Sequence, residues 1–456
     1  MAIIKTFDER KKHIIEKNRD LNYNIVCDTG SLAGAISQRA CVYSGARVVL
    51  NPLTDAVHLV HGPIGCASYT WDIRGALTSG ADTYRNSFST DIGEKEVIFG
   101  GGEKLMSAIR EITELYSPPA IFVYATCIIG IIGDDIRGIC KKASEELKIP
   151  IIPVQSEGFK MEGKKSDGYK AACDAIFELI DKYGNPKTSR DSRGINILGD
   201  FNVAGDLWVI KNYLNEMGVK VISSITGDGR INDILNARNA SLNIVQCAGS
   251  MTYLAKLMKH AYDIPFIKVQ FFGIGDTSAS LMNIAEFFND PNMIRTTKRL
   301  IERETKRVMP ELDYYRNKLK GKRAAIYMGG PAKAMSLINA FRELDMEVVI
   351  VGTQTGKKED YAQIKDMVNE GTVIVDDANP SELKGLMMKK NADLLVAGVK
   401  ERYMCYKLGI GFCDFNHDRK EFFEGFEGML NFAKEIYNSI NSPVWKYVRE
   451  YKRECL

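Results

Sequence analysis

Short apolar runs alternate with longer amphipathic stretches along the chain, and this alternation limits the possible folds more than any other feature. Most of the runs are bounded by Gly, Pro, Asp or Asn, as buried strands are. Strands joined by amphipathic helices form βαβ units with parallel sheets, so the pattern predicts an α/β fold. The predicted strands are residues 120–125, 151–154, 195–198, 221–223, 242–245, 266–269, 324–327, 348–351 and 394–396.

The chain has 456 residues, which exceeds what one hydrophobic core supports. A polar segment at 184–193 contains Gly and Pro and precedes a new strand, and a charged helical segment at 295–320 precedes another strand series. We therefore predict three Rossmann-like domains with mostly parallel sheets flanked by helices. Their ranges are 1–190, 191–310 and 311–456, the last with a C-terminal helical segment.

Composition excludes several classes of protein. Hydrophobic residues make up 45% of the chain and charged residues 26%, as in ordinary globular proteins. A net charge of +3 gives no electrostatic basis for binding nucleic acid or an anionic membrane. The first twenty residues lack the apolar core of a signal peptide, and no apolar run is long enough to span a bilayer. We expect a cytoplasmic protein.

The chain has ten cysteines and no CxxC pair. In a reducing cytosol they are expected to be buried structural residues or ligands gathered by the fold, not disulfides. Ligands of open α/β sheets lie beyond the carboxyl ends of the strands. Cys127, Gln155 and Cys247 each follow a predicted strand. For any one of these cysteines, a small residue filling a tight turn is an equally good interpretation.

Cys41, Cys66 and Cys127 form the strongest candidate set. Their contexts are SQRACVYSGAR, HGPIGCASY and YATCIIGIIGDD, in which each cysteine has small neighbours. Small neighbours let backbone N–H groups approach cluster sulfurs, and thiolates are the usual ligands of iron–sulfur clusters. Three cysteines are one short of the four that a cubane needs, so a partner subunit would supply the fourth.

Several segments resemble the nitrogenase component 1 family. They are NPLTDAVHLVHGPIGCASYTWDIRG, FSTDIGEKEVIFGGGEKL, FVYATCIIGIIGDDI, IPVQSEGF and VQCAGSMTYLAK. This family comprises catalytic nitrogenase subunits, the subunits of their cofactor-assembly scaffold, and dark-operative reductases of the chlorophyll pathway. The resemblance extends from about Cys41 to Trp445.

The resemblance implies roles for individual residues. Cys41, Cys66 and Cys127 match the three cysteines that one subunit gives to the cluster at the subunit interface. In the scaffold this is a [4Fe–4S] cluster whose fourth ligand comes from the partner. Cys247 matches the cysteine that ligates one end of the iron–molybdenum cofactor, and Arg74 matches an arginine near that cofactor.

Departures from the catalytic subunit favour the scaffold branch of the family. Asn416 stands where a histidine ligates molybdenum, and His417 follows it. In the motif that begins with Gln155, Phe159 replaces a histidine that touches the cofactor, and Ala332 replaces an arginine after the strand-tip glycines. Loss of these anchors suits a site that loads, modifies and releases its cargo.

The implied function is a non-catalytic scaffold in an α2β2 heterotetramer with a homologous N-type subunit. It would receive an eight-iron precursor of the cofactor from the radical enzyme that makes it, a B-type donor. Molybdenum and homocitrate would enter with help from the nitrogenase iron protein and ATP, and apo-nitrogenase would take the product. The alternative is a catalytic subunit of a nitrogenase-like reductase. A plain nucleotide-binding Rossmann protein is disfavoured because no GxGxxG follows a first strand.

Other candidate residues have simpler interpretations. His58 and His61 flank an apolar strand, where packing is favoured over a zinc or general-base role. The glycines from Gly100 to Gly102 suggest an anion-binding nest, but without a GxxxxGK[ST] pattern they do not form a P-loop. Cys413 lies close to Asn416, so a role beside the cofactor stays open for it.

Overall fold

The structure, a computed structural model, describes residues 8–18, 25–27, 40–70, 77–79, 86–158, 163–187, 189–416 and 419–448. Its strands, in chain order, are β1 Ile14–Glu16, β2 Val57–His61, β3 Ser87–Ser89, β4 Ile121–Ala125, β5 Ile151–Val154, β6 Gly194–Leu198, β7 Lys220–Ile225, β8 Leu242–Val245, β9 Phe266–Lys268, β10 Arg323–Met328, β11 Glu347–Thr353, β12 Val373–Asp376, β13 Leu394–Ala397 and β14 Gly411–Asp414.

Amphipathic helices separate most of the strands. In chain order they are α1 Val42–Leu50, α2 Ile64–Thr70, α3 Glu94–Phe99, α4 Gly102–Tyr116, α5 Cys127–Ile132, α6 Ile136–Leu147, α7 Lys165–Tyr183, α8 Asp206–Glu216, α9 Ile231–Leu235, α10 Ala248–Tyr262, α11 Ile274–Phe288, α12 Pro291–Leu319, α13 Pro331–Glu343, α14 Lys358–Met367, α15 Pro380–Lys389, α16 Arg402–Leu408 and α17 Gly425–Ile440. Within the described ranges, no helix has the length and apolar character needed to cross a membrane.

The chain divides into two compact units. The first unit comprises residues 40–203 and 214–269, and the second comprises 1–39, 204–213 and 270–456. The structure has three sheets, and each of the three predicted ranges contains the strands of one sheet. The exception is β1, which lies in the first range but joins the sheet of the third. The α/β fold class is confirmed, while the domain boundaries near 190 and 310 stay a prediction.

The first unit contains two four-stranded parallel sheets. Their strand orders are β3-β2-β4-β5 and β7-β6-β8-β9. All residues of β2 and β4 are buried, and the two strands pair in register with His61 opposite Ala125. Helix α7 packs against both α1 and α10. Because β2 and β4 are parallel and adjacent, the segments that follow them emerge at the same edge of the sheet.

The second unit is built on one six-stranded sheet with the order β1-β12-β11-β10-β13-β14. Only β1 is antiparallel to its neighbour, β12, among the pairings that the described residues show. Phe272, Phe415 and Phe432 pack edge to face beside this sheet, with centroids 4.9 Å apart in the two pairs that Phe272 forms. The predicted charged helix is observed as α12.

His58 and His61 on β2 are structural residues with both ring nitrogens engaged. The Tyr124 hydroxyl donates to His58 Nδ1 at 2.8 Å, and His58 Nε2 donates to the Leu53 carbonyl oxygen at 3.1 Å. Burial, reinforced by the charge of Arg47, lowers the pKa of His58 to about 3. The packing interpretation of these histidines agrees with this arrangement.

The low pKa of His58 predicts a pH-dependent loss of stability. In the unfolded chain His58 has its ordinary pKa of about 6.5 and binds a proton below that pH, whereas in the folded chain it stays neutral down to about pH 3. The stabilising contribution of neutral His58 is therefore complete above the unfolded pKa of about 6.5, and it is lost progressively as pH falls from there toward the folded pKa of about 3. The contribution of His58 to the free energy of unfolding falls by about 2 kcal/mol between about pH 7.5 and about pH 5. In urea unfolding, the free energy of unfolding of His58→Gln should therefore vary with pH by about 2 kcal/mol less than that of the parent protein.

His260 provides the control for this measurement because it is exposed on α10. The His260→Gln variant should keep the pH dependence of the parent protein. Carboxylates titrate alike in all three proteins, so they do not affect the comparison. An equal pH dependence in His58→Gln and the parent would show that His58 does not stay neutral in the folded chain.

Candidate functional site

Cys41, Cys66 and Cys127 each lie at the start of a helix. Cys41 caps α1, and its Sγ accepts a hydrogen bond from the Ser44 N–H at 3.4 Å. Cys66 lies in the first turn of α2, which follows β2, and Cys127 is the first residue of α5, which follows β4. The in-register pairing of β2 and β4 therefore brings two of these helix starts to one edge of the sheet.

A close backbone approach joins the two loops that carry Cys66 and Cys127. The Thr126 hydroxyl donates to the His61 carbonyl oxygen at 3.1 Å. A Cβ on Gly62 would lie 2.2 Å from Thr126 Oγ1, which is well inside contact distance. Glycine at position 62 is thus required for the loops to meet.

The electrostatics show that the three thiols share one environment. Burial raises the pKa of Cys66, and the charges of Cys41 and Cys127 raise it further. Cys41 is exposed, while Cys66 and Cys127 are half-buried. Three thiolates this close repel one another unless positive charge lies among them, and cluster iron supplies such charge. Three thiolates are the donor type that an iron–sulfur cluster takes, and the grouping of these cysteines as its ligands stays a prediction.

The three thiols are not grouped as a single-ion site would require. Within the described ranges, no three His, Cys, Asp or Glu side chains converge at the distances of a single-ion site. In an iron–sulfur cluster each thiolate binds a different iron, so the ligating sulfurs stand further apart. Their role as ligands stays a prediction.

Exposed apolar side chains surround the thiols. Ile64 and Tyr69 on α2 are 58% and 55% exposed, and Ile131 on α5 is 64% exposed. Helix α3 packs beside α5 and carries Ile98 and Phe99, which are 72% and 80% exposed. We call these five residues the apolar rim. Large apolar side chains grouped on a surface mark a protein–protein contact.

A hydrogen-bond network fixes the helix that carries part of the apolar rim. His61 Nε2 lies 3.1 Å from Asp134 Oδ2, and His61 Nδ1 lies 3.0 Å from Thr90 Oγ1. The Asp134 carboxylate also accepts from the Gly101 N–H at 3.0 and 3.1 Å. The glycine segment at the junction of α3 and α4, predicted as a possible anion nest, thus donates the Gly101 N–H to a carboxylate of its own chain.

Cys247 lies at a second strand tip. It follows β8 and is the N-cap residue of α10, and it is half-buried. Gly199, after the neighbouring strand β6, has a φ of +89°, and a Cβ there would lie 2.7 Å from the Cβ of Cys247. The neighbouring Cys173 is fully buried, its Sγ donates to the Ser250 carbonyl oxygen at 3.2 Å, and burial raises its pKa to about 12. Cys247 is therefore the accessible thiol of this pair.

The other predicted cofactor residues are distributed between the units. Gln155 is exposed just after β5 in the first unit. Asn416 follows β14 in the second unit and is buried. Arg74 and His417 lie outside the described residues, as does Phe159. The roles of these five residues stay predictions.

Asn416 has a partner that the sequence did not indicate. Its Oδ1 accepts a hydrogen bond from Lys333 Nζ at 3.4 Å, and its backbone N–H donates to Asp414 Oδ1 at 2.9 Å. Lys333 lies in the first turn of α13, and its ammonium group stands 5.3 Å from the centre of the Phe415 ring. Strands β10, β13 and β14 are adjacent and parallel, which brings Lys333 and Asn416 to one sheet edge although 83 residues separate them.

Cys27 is half-buried against the core of the second unit, and three further cysteines have structural positions. Cys140, Cys405 and Cys413 are buried, and burial raises the pKa of each thiol. Cys413 is fully buried in the second unit, so its proximity to Asn416 in sequence does not expose its thiol to a ligand. Every cysteine in the described part of the chain has a free thiol.

Comparisons with known proteins place this geometry in context. A family model described as nitrogenase component 1 type oxidoreductase matches residues 41–441. A Methanosarcina barkeri protein named nitrogenase iron-molybdenum cofactor biosynthesis protein NifE is 57% identical over 461 residues, covering 99% of each chain. A Clostridium pasteurianum protein of the same name is 55% identical, covering 98% of this chain and 97% of the relative. A solved structure described as nitrogenase Cp1 at pH 5 has a TM-score of 0.88 at 31% identity and covers 97% of both chains.

The tight contact between Gly199 and Cys247 predicts a large effect of one methyl group. Gly199→Ala adds a side chain at positive φ, which costs about 1–2 kcal/mol, and forces the Cys247 segment to move at a further cost of about 1–3 kcal/mol. Gly163 is a matched control because its φ is +77° and a Cβ there meets nothing within 4 Å. Denaturant unfolding should show the greater loss of stability in Gly199→Ala. Equal losses in the two variants would contradict the close packing at Cys247.

Proposed function

Because the chain belongs to the nitrogenase component 1 type oxidoreductase family, we propose that it is the scaffold subunit on which the iron–molybdenum cofactor of nitrogenase matures. Its near full-length identity to two relatives named as NifE supports this role. The observation in the structure that supports the proposal is the placement of Cys41, Cys66 and Cys127 at helix starts, two of which follow adjacent parallel strands. The protein would hold an iron–sulfur precursor while molybdenum and homocitrate are inserted.

The three grouped thiols are proposed to hold a [4Fe–4S] cluster, which supplies one-electron transfer when bound. Cys41, Cys66 and Cys127 give three thiolates, and a fourth ligand would come from the partner subunit. The apolar rim supports this arrangement because a partner that covers it also encloses the half-exposed cluster. The N–H of Ser44, which already donates to Cys41, is placed to stabilise the thiolate.

The cargo is proposed to be an eight-iron precursor of the cofactor held by Cys247. This thiol is accessible at the start of α10, unlike the buried Cys173 beside it. Family resemblance suggests that Arg74, Gln155, Asn416 and His417 would also serve the cargo. Molybdenum and homocitrate would be transient occupants.

Asn416 explains why the cargo would be held and then released. An amide oxygen is a weaker donor to molybdenum than an imidazole nitrogen. Lys333 already donates to this oxygen, and ligation of a metal would have to displace that hydrogen bond. The cargo would then have one firm protein ligand, and a ligand bound with less energy dissociates faster.

The proposed partners follow from the role. Two copies would pair with two copies of a homologous N-type subunit in an α2β2 heterotetramer in the cytoplasm. A B-type radical enzyme would donate the precursor, the nitrogenase iron protein would act with ATP, and apo-nitrogenase would accept the product. Neither nucleic acid nor a membrane takes part. The alternative, a nitrogenase-like reductase, is disfavoured by the names of the relatives and would be supported by reduction of acetylene with the iron protein and ATP.

Alanine variants should separate the two metal sites. Cys127→Ala removes one of three clustered thiolates, so the electron paramagnetic resonance signal of the reduced [4Fe–4S] cluster should be lost in the complex. Cys247→Ala should keep that signal while iron bound as cargo falls, because its thiol stands at a different strand tip. Cys140→Ala is the control, since this buried thiol faces neither site. An unchanged cluster signal in Cys127→Ala would contradict the proposed ligand set.

Restoring a histidine at position 416 should slow release of the cargo. Asn416→His offers an imidazole to molybdenum, so the finished cofactor should leave the complex more slowly than from the parent protein, while loading of iron changes little. Transfer is timed by the activity recovered in apo-nitrogenase. Asn416→Gln, which keeps an amide, is the matched control. If both variants slow transfer equally, the effect is one of packing and not of ligation.

A further inference from the structure

Arg47 is the most unusual charged residue in the first unit. It lies on α1, six residues after Cys41, and its side chain is 0% exposed. Its Nη2 donates to Ser87 Oγ at 3.0 Å and its Nε to Thr70 Oγ1 at 3.4 Å, but its Nη1 is buried without a hydrogen-bond partner. Neutral hydroxyl oxygens are thus its only side-chain acceptors within the described ranges.

Aromatic rings pack around Arg47. The guanidinium carbon stands 5.1 Å from the centre of the Tyr124 ring, and Tyr43 packs edge to face on Tyr124 with centroids 6.0 Å apart. In the part of the chain that the structure describes, no carboxylate forms an ion pair with Arg47. A buried cation is strongly unfavourable without a compensating charge, and no described carboxylate supplies one to Arg47.

Thr70 connects this cation to the clustered thiols. Its hydroxyl accepts from Arg47 Nε and lies 2.7 Å from the Tyr43 hydroxyl, and it donates to the Cys66 carbonyl oxygen at 3.3 Å. Helix α1, capped by Cys41, and helix α2, which contains Cys66, are therefore tied together through the groups that contact Arg47. Tyr43, two residues after Cys41 on α1, joins these contacts because its hydroxyl meets that of Thr70.

We propose that Arg47 is the counter-charge of the iron–sulfur cluster at Cys41, Cys66 and Cys127. This inference rests on the proposed function, because it needs the cluster to be present. A cluster bound by thiolates is anionic and gains a further negative charge on reduction, and a nearby fixed cation stabilises the reduced form more than the oxidised one. Arg47 is thus a positioning residue that raises the reduction potential of the cluster and offsets its charge in the partly buried site.

Redox titration of the complex with its partner, followed by electron paramagnetic resonance, tests the inference. Arg47→Met removes the charge and keeps an unbranched side chain, so the midpoint potential should shift to a more negative value. Arg47→Lys keeps the charge and should show the smaller shift, a ranking that loss of packing alone would not produce. Arg110→Met is the control, because Arg110 is exposed on α4 and pairs with Glu146 at 2.7 Å. A fully loaded Arg47→Met complex with the parent midpoint potential would overturn the inference.

Thermal unfolding of iron-stripped complexes decides the matter if Arg47→Met does not load. Without the cluster the buried charge is unfavourable, so stripped Arg47→Met should unfold at the same temperature as the stripped parent or higher. A lower temperature would show a purely structural role and overturn the inference. A parent complex without any cluster signal would contradict the proposed function itself, whereas a normal parent with an unshifted Arg47→Met contradicts only the role of Arg47.

Discussion

Thiolates that share a small, half-buried space repel one another, and the first unit is organised around this constraint. The pKa of Cys66 is raised by burial and by its two neighbouring thiols, so this thiol stays protonated unless a cation binds nearby. A rigid backbone would keep the three thiols together for such a cation. Paired strands β2 and β4, the contact of Gly62 with Thr126 and the capped start of α1 provide that rigidity.

The same constraint accounts for features on both sides of the thiols. On the inner side, Arg47 is buried without a carboxylate among the described residues and is linked to Cys66 through Thr70. On the outer side, the apolar rim offers a partner the surface that would close the site. A positive charge inside and an apolar cover outside are two means of stabilising an anionic cluster near a protein surface, since one supplies attraction and the other excludes water.

The sequence predicted the framework better than it predicted the contacts. All nine predicted strands are present, because uninterrupted apolar runs have few alternatives to a buried strand. Strand β2 is not among the predicted strands, because two histidines interrupt its apolar pattern although all five residues are buried. Strands β1 and β3 have only three residues each, too few for a periodic signal, and the short strands β12 and β14 were also missed.

Long-range pairs explain what remained hidden at the candidate sites. The cysteines could be grouped because strand tips meet at one edge of a parallel sheet. Arg47 appears in the apolar segment VYSGARVVL, where a charged residue ordinarily indicates a solvent-facing position, and only the fold shows that it is fully buried. The pairing of Lys333 with Asn416 depends on a helix start and a strand tip that are 83 residues apart, so no local pattern indicates it.

The two candidate metal sites differ in how firmly the chain prepares them, and this difference matches a division between a resident cluster and a passing cargo. Three thiols at helix starts would give the proposed cluster several ligands, so its loss would require several bonds to break. Cys247 is a single accessible thiol at the start of α10, and Asn416 is already engaged by Lys333. A site with one firm ligand exchanges its occupant more readily, because dissociation then requires only one strong bond to open. Retention of a cluster thus needs several protein ligands, whereas transfer of a cargo needs few. Separate strand tips let one chain provide both kinds of site.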